Sequence, residues 1–192
     1  MADYSEDYLL DKRIKILQPI DGYRASTDAV LLSAAVTKVK KGDTVLDVGS
    51  GTGAISLCLA ARYKTKGISI TGLELQDELA SLSNQSAVLN NFDFLHFEAV
   101  DIFKNKLPRC SFAHVISNPP YSDHDMPSPY SGKSTAHNFK DVSLKEWIAL
   151  MIKMIKPQGH FYMVNRAEAL DDILTSPTPK PEIWLIRLDC YH

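Results

Sequence analysis

The amino-acid sequence predicts a doubly wound α/β fold organised around a mostly parallel sheet. Short β-branched apolar runs alternate with longer helical patterns from residue 44 onward, at the spacing of strand–helix–strand units. A glycine-rich turn, Gly49-Ser-Gly-Thr-Gly53, stands between the first of these runs and the helical segment after it. The 192 residues, 45% of them hydrophobic, suffice for one domain spanning 1–192 that buries roughly 70% of its unfolded surface. A second full domain does not fit.

Each element follows from its pattern. Thr44–Val48 has the composition of a buried strand, and Ala54–Arg62 reads as the helix behind it. Ile68–Leu75 alternates as a second strand. A helix starts at Asp77, where Asp77 and Glu78 suit the positive end of the helix dipole. Phe94–Val100 and Phe112–Ser117 are two further strands. Val142–Lys156 carries apolar residues at helical spacing and stops before Pro157-Gln-Gly159. A strand at His160–Asn165, a helix at Ala167–Leu174 and a last strand at Ile183–Leu188 complete the series.

Two regions break the alternation. Residues 1–43 form an N-terminal extension with the apolar Ile14–Leu17, a turn at Pro19–Gly22 and a helical stretch at Thr27–Val39. Residues 122–142 form a long polar loop with two prolines and one glycine, and loops of that length are usually functional or disordered.

Composition removes several function classes. With 21 basic and 23 acidic residues and a formal charge of −2, the chain is no cationic coat for nucleic acid, although a local basic patch remains open. Cys58, Cys110 and Cys190 lie far apart with no CxxC pair, so neither a disulfide framework nor a structural zinc is expected. The acidic start Met1-Ala-Asp-Tyr-Ser-Glu-Asp lacks the pattern of a signal peptide. No stretch approaches the roughly 20 apolar residues of a membrane span, so a soluble cytoplasmic protein is expected.

Ligands of open α/β sheets bind outside the carboxyl ends of the strands. There, in Asp47-Val-Gly49-Ser-Gly51-Thr-Gly53, glycines let a ligand approach the backbone while the next helix offers unpaired N–H groups to an anionic part of it. Gly49-x-Gly51-x-x-Ala54 also fits a dinucleotide fingerprint. Asp47, Glu74 and Asp101 place one carboxylate near the carboxyl end of each of three successive strands, which suits an adenosine-containing ligand, NAD or S-adenosylmethionine.

Asn118-Pro119-Pro120-Tyr121 ends the fourth strand on the same edge. The prolines fix φ and leave rigid carbonyls free to accept, Asn118 adds a side-chain acceptor, and Tyr121 adds an aromatic face. Two acceptors beside a flat surface suit a planar –NH₂ group. Such an amine, conjugated to a ring, is a poor nucleophile. Accepting both N–H bonds, at the Asn118 side chain and the Pro119 carbonyl, would hold its nitrogen in line with an electrophile and favour pyramidalisation, with no general base required in advance.

VLDVGSGTG, Glu74, Asp101 and NPPY, in this order, resemble the Rossmann-like class I S-adenosylmethionine-dependent methyltransferases that act on amino nitrogens. The upstream segment Gln18-Pro-Ile-Asp-Gly-Tyr-Arg-Ala-Ser-Thr-Asp28-Ala-Val-Leu-Leu32 resembles the bacterial tRNA adenine-N6 methyltransferases, which modify an adenosine in the anticodon loop of a valine tRNA. The likeness covers about residues 12–175. It implies that Asp47, Gly49, Gly51 and Gly53 line the methionine end of the cofactor, that Glu74 takes the ribose hydroxyls and that Asp101 takes the adenine amine. It also implies that Arg24, Ser26, Thr27 and Asp28, in an extension packed over the cofactor, close over the reacting site, and that Asn118 to Tyr121 hold the target base beside the cofactor. The sequence departs from the family at Ala136-His137-Asn138-Phe139, where relatives more often carry an Ala-Arg stretch, and it stops at His192, short of the usual seventh strand.

A tRNA base must be flipped out to reach such a pocket, with stacking on Tyr121 offsetting part of the cost. Lys12, Arg13, Lys15, Arg24, Lys133, His137 and Lys140 are candidate phosphate contacts at the rim. His124 and His137 with Asp123 and Asp125 match no zinc pattern, and methyl transfer needs no metal, so none is expected. Trp147, Met151, Met154 and Cys58 read as core. Three other functions stay in view: N5-methylation of a glutamine amide in a protein, an NAD-dependent oxidoreductase that leaves NPPY idle, and a catalytically silent binding module.

Overall fold

A computed structural model describes residues 3–119 and 142–175. The chain opens with an antiparallel hairpin of β1 (Tyr4–Leu9) and β2 (Ile14–Pro19), followed by α1 (Thr27–Ala35). Then come β3 (Thr44–Val48), α2 (Ala54–Tyr63), β4 (Ser69–Glu74), α3 (Asp77–Leu89), β5 (Leu95–Ala99) and β6 (Phe112–Ser117). After residue 141 the described chain resumes with α4 (Leu144–Met154), β7 (Ile155–Met163), a single 3-10 turn at Ala167–Ala169 and the short α5 (Leu170–Leu174).

The expected α/β sheet is present. Five described strands run in the order β5-β4-β3-β6-β7, and every neighbouring pair is parallel. The chain moves outward from β3 through β4 to β5, then returns to place β6 on the other side of β3. The crevice at the carboxyl ends of β3 and β6 is therefore the switch point, where open sheets take their ligands. One face of the sheet packs Val45, Ile70 and Ile116 against α1, α2, α3 and the hairpin. The other packs Leu46, Val48 and Val115 against Trp147, Ile148, Met151 and Met154 of α4. Both faces are apolar, as a parallel sheet covered on two sides requires.

Four differences from the expected elements have local causes. The helix beginning at Thr27 ends at Ala35 rather than Val39, because Val36 turns extended, and Val36 and Val39 are buried in the core. The β-branched side chains favour that conformation. The helix through Trp147 ends at Met154, and β7 starts at once. Its pairing with β6 jumps from Phe112↔Ile155 to His114↔His160, with Gln158 at φ 64° absorbing the irregularity. The helix expected at Ala167–Leu174 is split into the 3-10 turn and α5. The hairpin was half expected, since β2 covers the predicted apolar run while β1 is exposed and polar on alternate residues. The free edge of β2 is closed by α3: Leu17 N donates to Ser86 Oγ at 2.9 Å, Lys15 N to Asn90 Oδ1 at 2.9 Å, and Asn90 Nδ2 to Lys15 O at 2.7 Å. The predicted strand at Ile183–Leu188, Cys190 and the loop 122–141 lie outside the described residues.

One packing contact sets the floor under the glycine loop. Asp47 of β3 pairs with Gly72 of β4, which pairs in turn with Phe97 of β5. The Phe97 ring lies across Gly72, where a β-carbon would collide with it and stand 3.0 Å from Ser50 Oγ. Gly72→Ala is expected to cost about 1–3 kcal/mol by overpacking, and Phe97→Leu added to it should recover part of the loss. Urea denaturation measures both; an unchanged midpoint in Gly72→Ala would remove this role for the glycine.

Candidate active site

The carboxyl ends of β3 and β4 are tied together by backbone bonds. Gly49 N and Ser50 N both donate to Leu73 O, at 2.8 and 3.0 Å, so the glycine loop folds over the end of β4. Gly51 N then donates to Glu74 Oε2 at 2.8 Å, and Gln76 N to Glu74 Oε1 at 2.9 Å. Val100 N donates to Glu74 O at 2.7 Å and brings the end of β5 alongside. Glu74 is thus buried with its carboxylate braced between two backbone amides.

Gly49, Gly51 and Gly53 all have positive φ. At two of them aromatic side chains occupy the space of a side chain. A β-carbon on Gly51 would collide with the Tyr23 ring, and one on Gly53 would lie 2.6 Å from Phe97 Cζ. The bare backbone therefore admits aromatic rings of the protein itself, a reason for glycine additional to the ligand approach expected from the sequence. Tyr23, half exposed, brings the residues before α1 to the mouth of the loop.

Asp47 is fully buried on the α2 face of the sheet. Its Oδ2 accepts from Ser56 Oγ at 2.7 Å, while Oδ1 has no partner among the described residues. Ser50 Oγ, Thr52 Oγ1 and Asn118 Oδ1 are likewise buried without partners among the described residues. The four unsatisfied atoms belong to the glycine loop and the two strand ends that flank the switch point. Such groups are costly to bury without a hydrogen bond, and acceptors of this kind mark a place for a ligand's donors. Sequence reasoning passed over Ser50, Thr52 and Tyr23, which lie inside or just before its own motifs.

The remaining candidates are distributed as follows. Asn118 and Pro119 directly follow β6; Pro120 and Tyr121 lie outside the described residues, as do Lys133, His137 and Lys140. Asp101 stands two residues beyond β5, its Oδ1 accepting from Phe103 N at 3.0 Å and its Oδ2 3.0 Å from Lys104 Nζ. The Lys104 ammonium, with the Phe103 amide, holds its carboxyl below the usual range. Ser26 precedes α1, Thr27 and Asp28 begin it, and none of the three makes a side-chain cap. Arg24 is committed to the hairpin: Nη2 is 2.7 Å from Asp7 Oδ2, and Nη1 donates to Pro19 O at 2.7 Å and to Ser5 Oγ at 3.1 Å. Lys12 and Arg13 are exposed in the hairpin turn, and Lys15 pairs with Glu6 at 3.2 Å.

Trp147, expected as core, is buried and also a strut. Its Nε1 donates to Ser117 Oγ at 3.0 Å, Ser117 Oγ donates to Val48 O at 2.7 Å, and a β-carbon on Gly49 would lie 3.3 Å from its ring. One side chain of α4 therefore touches the end of β3, the end of β6 and the glycine loop. A capping box at Ser143 and Glu146 fixes where α4 starts, one turn before it. Among the described residues no His, Cys, Asp or Glu group could hold a metal, and no helix is long and apolar enough to cross a membrane.

The fold is that of S-adenosylmethionine-dependent methyltransferases. Solved structures of such enzymes from Thiobacillus denitrificans and Geobacter sulfurreducens, both in complex with S-adenosyl-L-homocysteine, superimpose with TM-scores of 0.52 and 0.51 at 18% identity. Each match covers 72% of this chain, which spans about half the length of those chains, 48% and 47%. A family model described as a methyltransferase domain matches residues 39–182, and the chain belongs to that family. It is also similar, at 26% identity over 95% of its length and 78% of the relative's, to a Bacteroides fragilis protein named tRNA1(Val) (adenine(37)-N6)-methyltransferase. A protein of the same name from Shewanella halifaxensis is 28% identical over 78% of this chain and 60% of its own.

The electrostatics of Asp47 give a testable sign. Burial, reinforced by the nearby negative Glu74 and opposed by the Ser56 hydrogen bonds, pushes its carboxyl from 3.8 up to about 7. Between those two values the folded protein holds a proton that the unfolded chain has released. Stability of the ligand-free protein should therefore fall as pH rises through this window, by up to about 1.4 kcal/mol per unit, and level off above it. Urea titrations of the wild type and Asp47→Asn from pH 4 to 8 should diverge accordingly, the variant gaining relative stability toward pH 7; parallel profiles would contradict the buried, unpaired carboxylate.

Proposed function

We propose that this methyltransferase carries a methyl group from S-adenosylmethionine to an exocyclic amino nitrogen, adenine N6 of a tRNA. The observation that carries the proposal is the Asn118 side-chain oxygen: a buried acceptor without a partner among the described residues, at the end of β6, across the switch point from the equally unpaired Asp47 oxygen. The names of the relatives support the choice of tRNA, as does the likeness of residues 18–32 to the tRNA adenine-N6 methyltransferases. Acting on tRNA places the protein in the cytoplasm.

The cofactor is S-adenosylmethionine. The residues present fit it, since a carboxylate with a free buried oxygen suits an ammonium group and a braced carboxylate beside it suits hydroxyl donors. Asp47 and the loop of Gly49, Gly51 and Gly53 hold the methionine end, Glu74 the ribose hydroxyls and Asp101 the adenine amine. Arg24, Ser26, Thr27 and Asp28 flank the mouth. When bound, the cofactor supplies a methyl group made electrophilic by its sulfonium. This chain's own contribution is positional. Asn118 Oδ1 and the Pro119 carbonyl accept the two N–H bonds of the target amine, which fixes its orientation and localises its lone pair. Pro120 stiffens that clamp, and the neighbouring Tyr121 offers a face for stacking the flipped base.

Asn118→Ala should lower kcat about 10²–10³-fold on tRNA that lacks the modification, while calorimetry shows cofactor affinity within a few-fold of wild type. Nucleoside mass spectrometry of the product should show N6-methyladenosine. Methylation of a glutamine-containing release-factor peptide in place of tRNA would move the proposal to a protein amide. An equal loss of turnover and cofactor binding would remove the clamp role from Asn118.

A further inference from the structure

At the edge of the sheet opposite the candidate active site, the loops entering the strands carry a concentration of cations. Lys38, Lys40 and Lys41 precede β3, Lys64 and Lys66 precede β4, and Lys156 lies at the start of β7; all six are exposed or nearly so. The loops are joined to one another. Gly42 N donates to Lys66 O at 3.1 Å, Lys66 Nζ to Val39 O at 2.9 Å, and Lys156 Nζ to Thr44 Oγ1 at 3.3 Å. None of the six makes an ion pair with a carboxylate among the described residues, whereas Lys15, Lys104 and Lys145 all do. The nearest acid, Asp43, is engaged by His114 Nε2 at 2.9 Å and by Lys40 N at 2.6 Å. Asp93, before β5, is a further carboxylate near this edge.

The local field leaves a trace on His160, the half-buried residue stacked on His114. Burial first, then the neighbouring His114, Lys38 and Lys40, hold its imidazole below the usual value. A net-cationic edge on a chain whose formal charge is −2 is an asymmetry that solubility alone does not call for.

We propose that this edge, the loops 36–43 and 64–67 with Lys156, binds the phosphate backbone of a structured RNA substrate while the target base enters at the opposite edge. This rests on the RNA reading above and names where the body of that RNA docks. The two edges are separated by the length of a five-residue strand, about 17 Å at roughly 3.3 Å per residue, which an RNA carrying a helical stem beside its target loop can span. Lysines contact phosphates as point charges without reading sequence, so the edge supplies affinity and leaves base choice to the Asn118 pocket.

The test uses the full chain and an unmodified tRNA transcript, with affinity measured by anisotropy as KCl is varied. The variant is Lys38→Gln/Lys40→Gln/Lys41→Gln, with the triple Lys→Arg variant as its charge-retaining control. The Gln variant should weaken RNA binding about ten-fold or more near physiological salt and flatten the slope of log Kd against log salt by about two to three, roughly one for each phosphate no longer neutralised. The Arg variant should restore both. Cofactor affinity, and kcat at saturating tRNA, should stay at wild-type values. A Gln variant with the wild-type affinity and salt slope, in a protein that still methylates tRNA, would overturn the docking edge and leave the activity standing. A wild type that neither binds nor methylates tRNA would overturn both. Unchanged tRNA affinity combined with lost binding to anionic phospholipid vesicles would assign the edge to a membrane surface instead.

Discussion

Two carboxylates are buried side by side at the ends of β3 and β4 with no counter-cation among the described residues, and most of the site is arranged around that fact. Burial of one unpaired charge is expensive, and of two adjacent charges more so. Glu74 meets part of the cost through the amides of Gly51 and Gln76. Asp47 has the Ser56 hydroxyl and backbone amide and answers by drifting toward the protonated form. The ligand-free site is therefore electrostatically frustrated, and the frustration has a sense: it is relieved by donors and by positive charge. In the proposed assignment, a cofactor with an ammonium at one end and hydroxyls further along supplies what the protein withholds.

The braces around those carboxylates also explain why the site is rigid on both sides of the switch point. One Glu74 oxygen accepts from Gly51 of the glycine loop and the other from Gln76 ahead of α3, so movement of the loop would unbrace a buried carboxylate. On the opposite face Trp147 joins β3, through Ser117 and the Val48 carbonyl, to the strand that carries Asn118. The ends of β3 and β6, which carry the proposed cradle and clamp, are thus held to one frame by hydrogen bonds of 2.7 and 3.0 Å. Transfer between two bound groups depends on alignment more than on any single catalytic group, and misplacement by about 1 Å can cost on the order of 10² in rate.

Much of this was legible in the sequence, and what was not has physical causes. β3 and β6 were bounded correctly because their apolar runs, interrupted only by Asp47 and His114, stop at Gly49 and at Asn118-Pro119. The hairpin partner β1 left little trace, since Tyr4–Leu9 alternates between exposed and partly exposed residues and the hairpin's neighbour, α3, lies some 70 residues away. Trp147 was legible as core by its spacing on α4, yet its indole N–H acts on Ser117, 30 residues distant, where no local pattern reaches. Ser50 and Thr52 sit inside the recognised glycine motif but look like ordinary turn residues until burial shows their hydroxyls unpartnered. The glycines themselves were read for the ligand they admit, whereas the structure shows two of them also admitting Tyr23 and Phe97.

A parallel sheet has two chemically different edges, and the two proposals place different tasks at them. At the carboxyl ends, helix N-termini and glycine amides converge with buried acceptors, a place suited to a small ligand and a reacting nitrogen. At the amino ends the incoming loops bury Val36 and Val39 but leave their lysines exposed around the Asp43–His114 pair. Lysines accumulate there without disturbing the acceptor-rich pocket, because a strand's length separates the two, about twice the roughly 8 Å over which charges act at physiological salt. Had the same cations been placed beside Asp47 and Glu74, they would have paired with the carboxylates and satisfied the frustration that now favours the cofactor. The proposed arrangement thus separates binding power from chemistry along the strand axis.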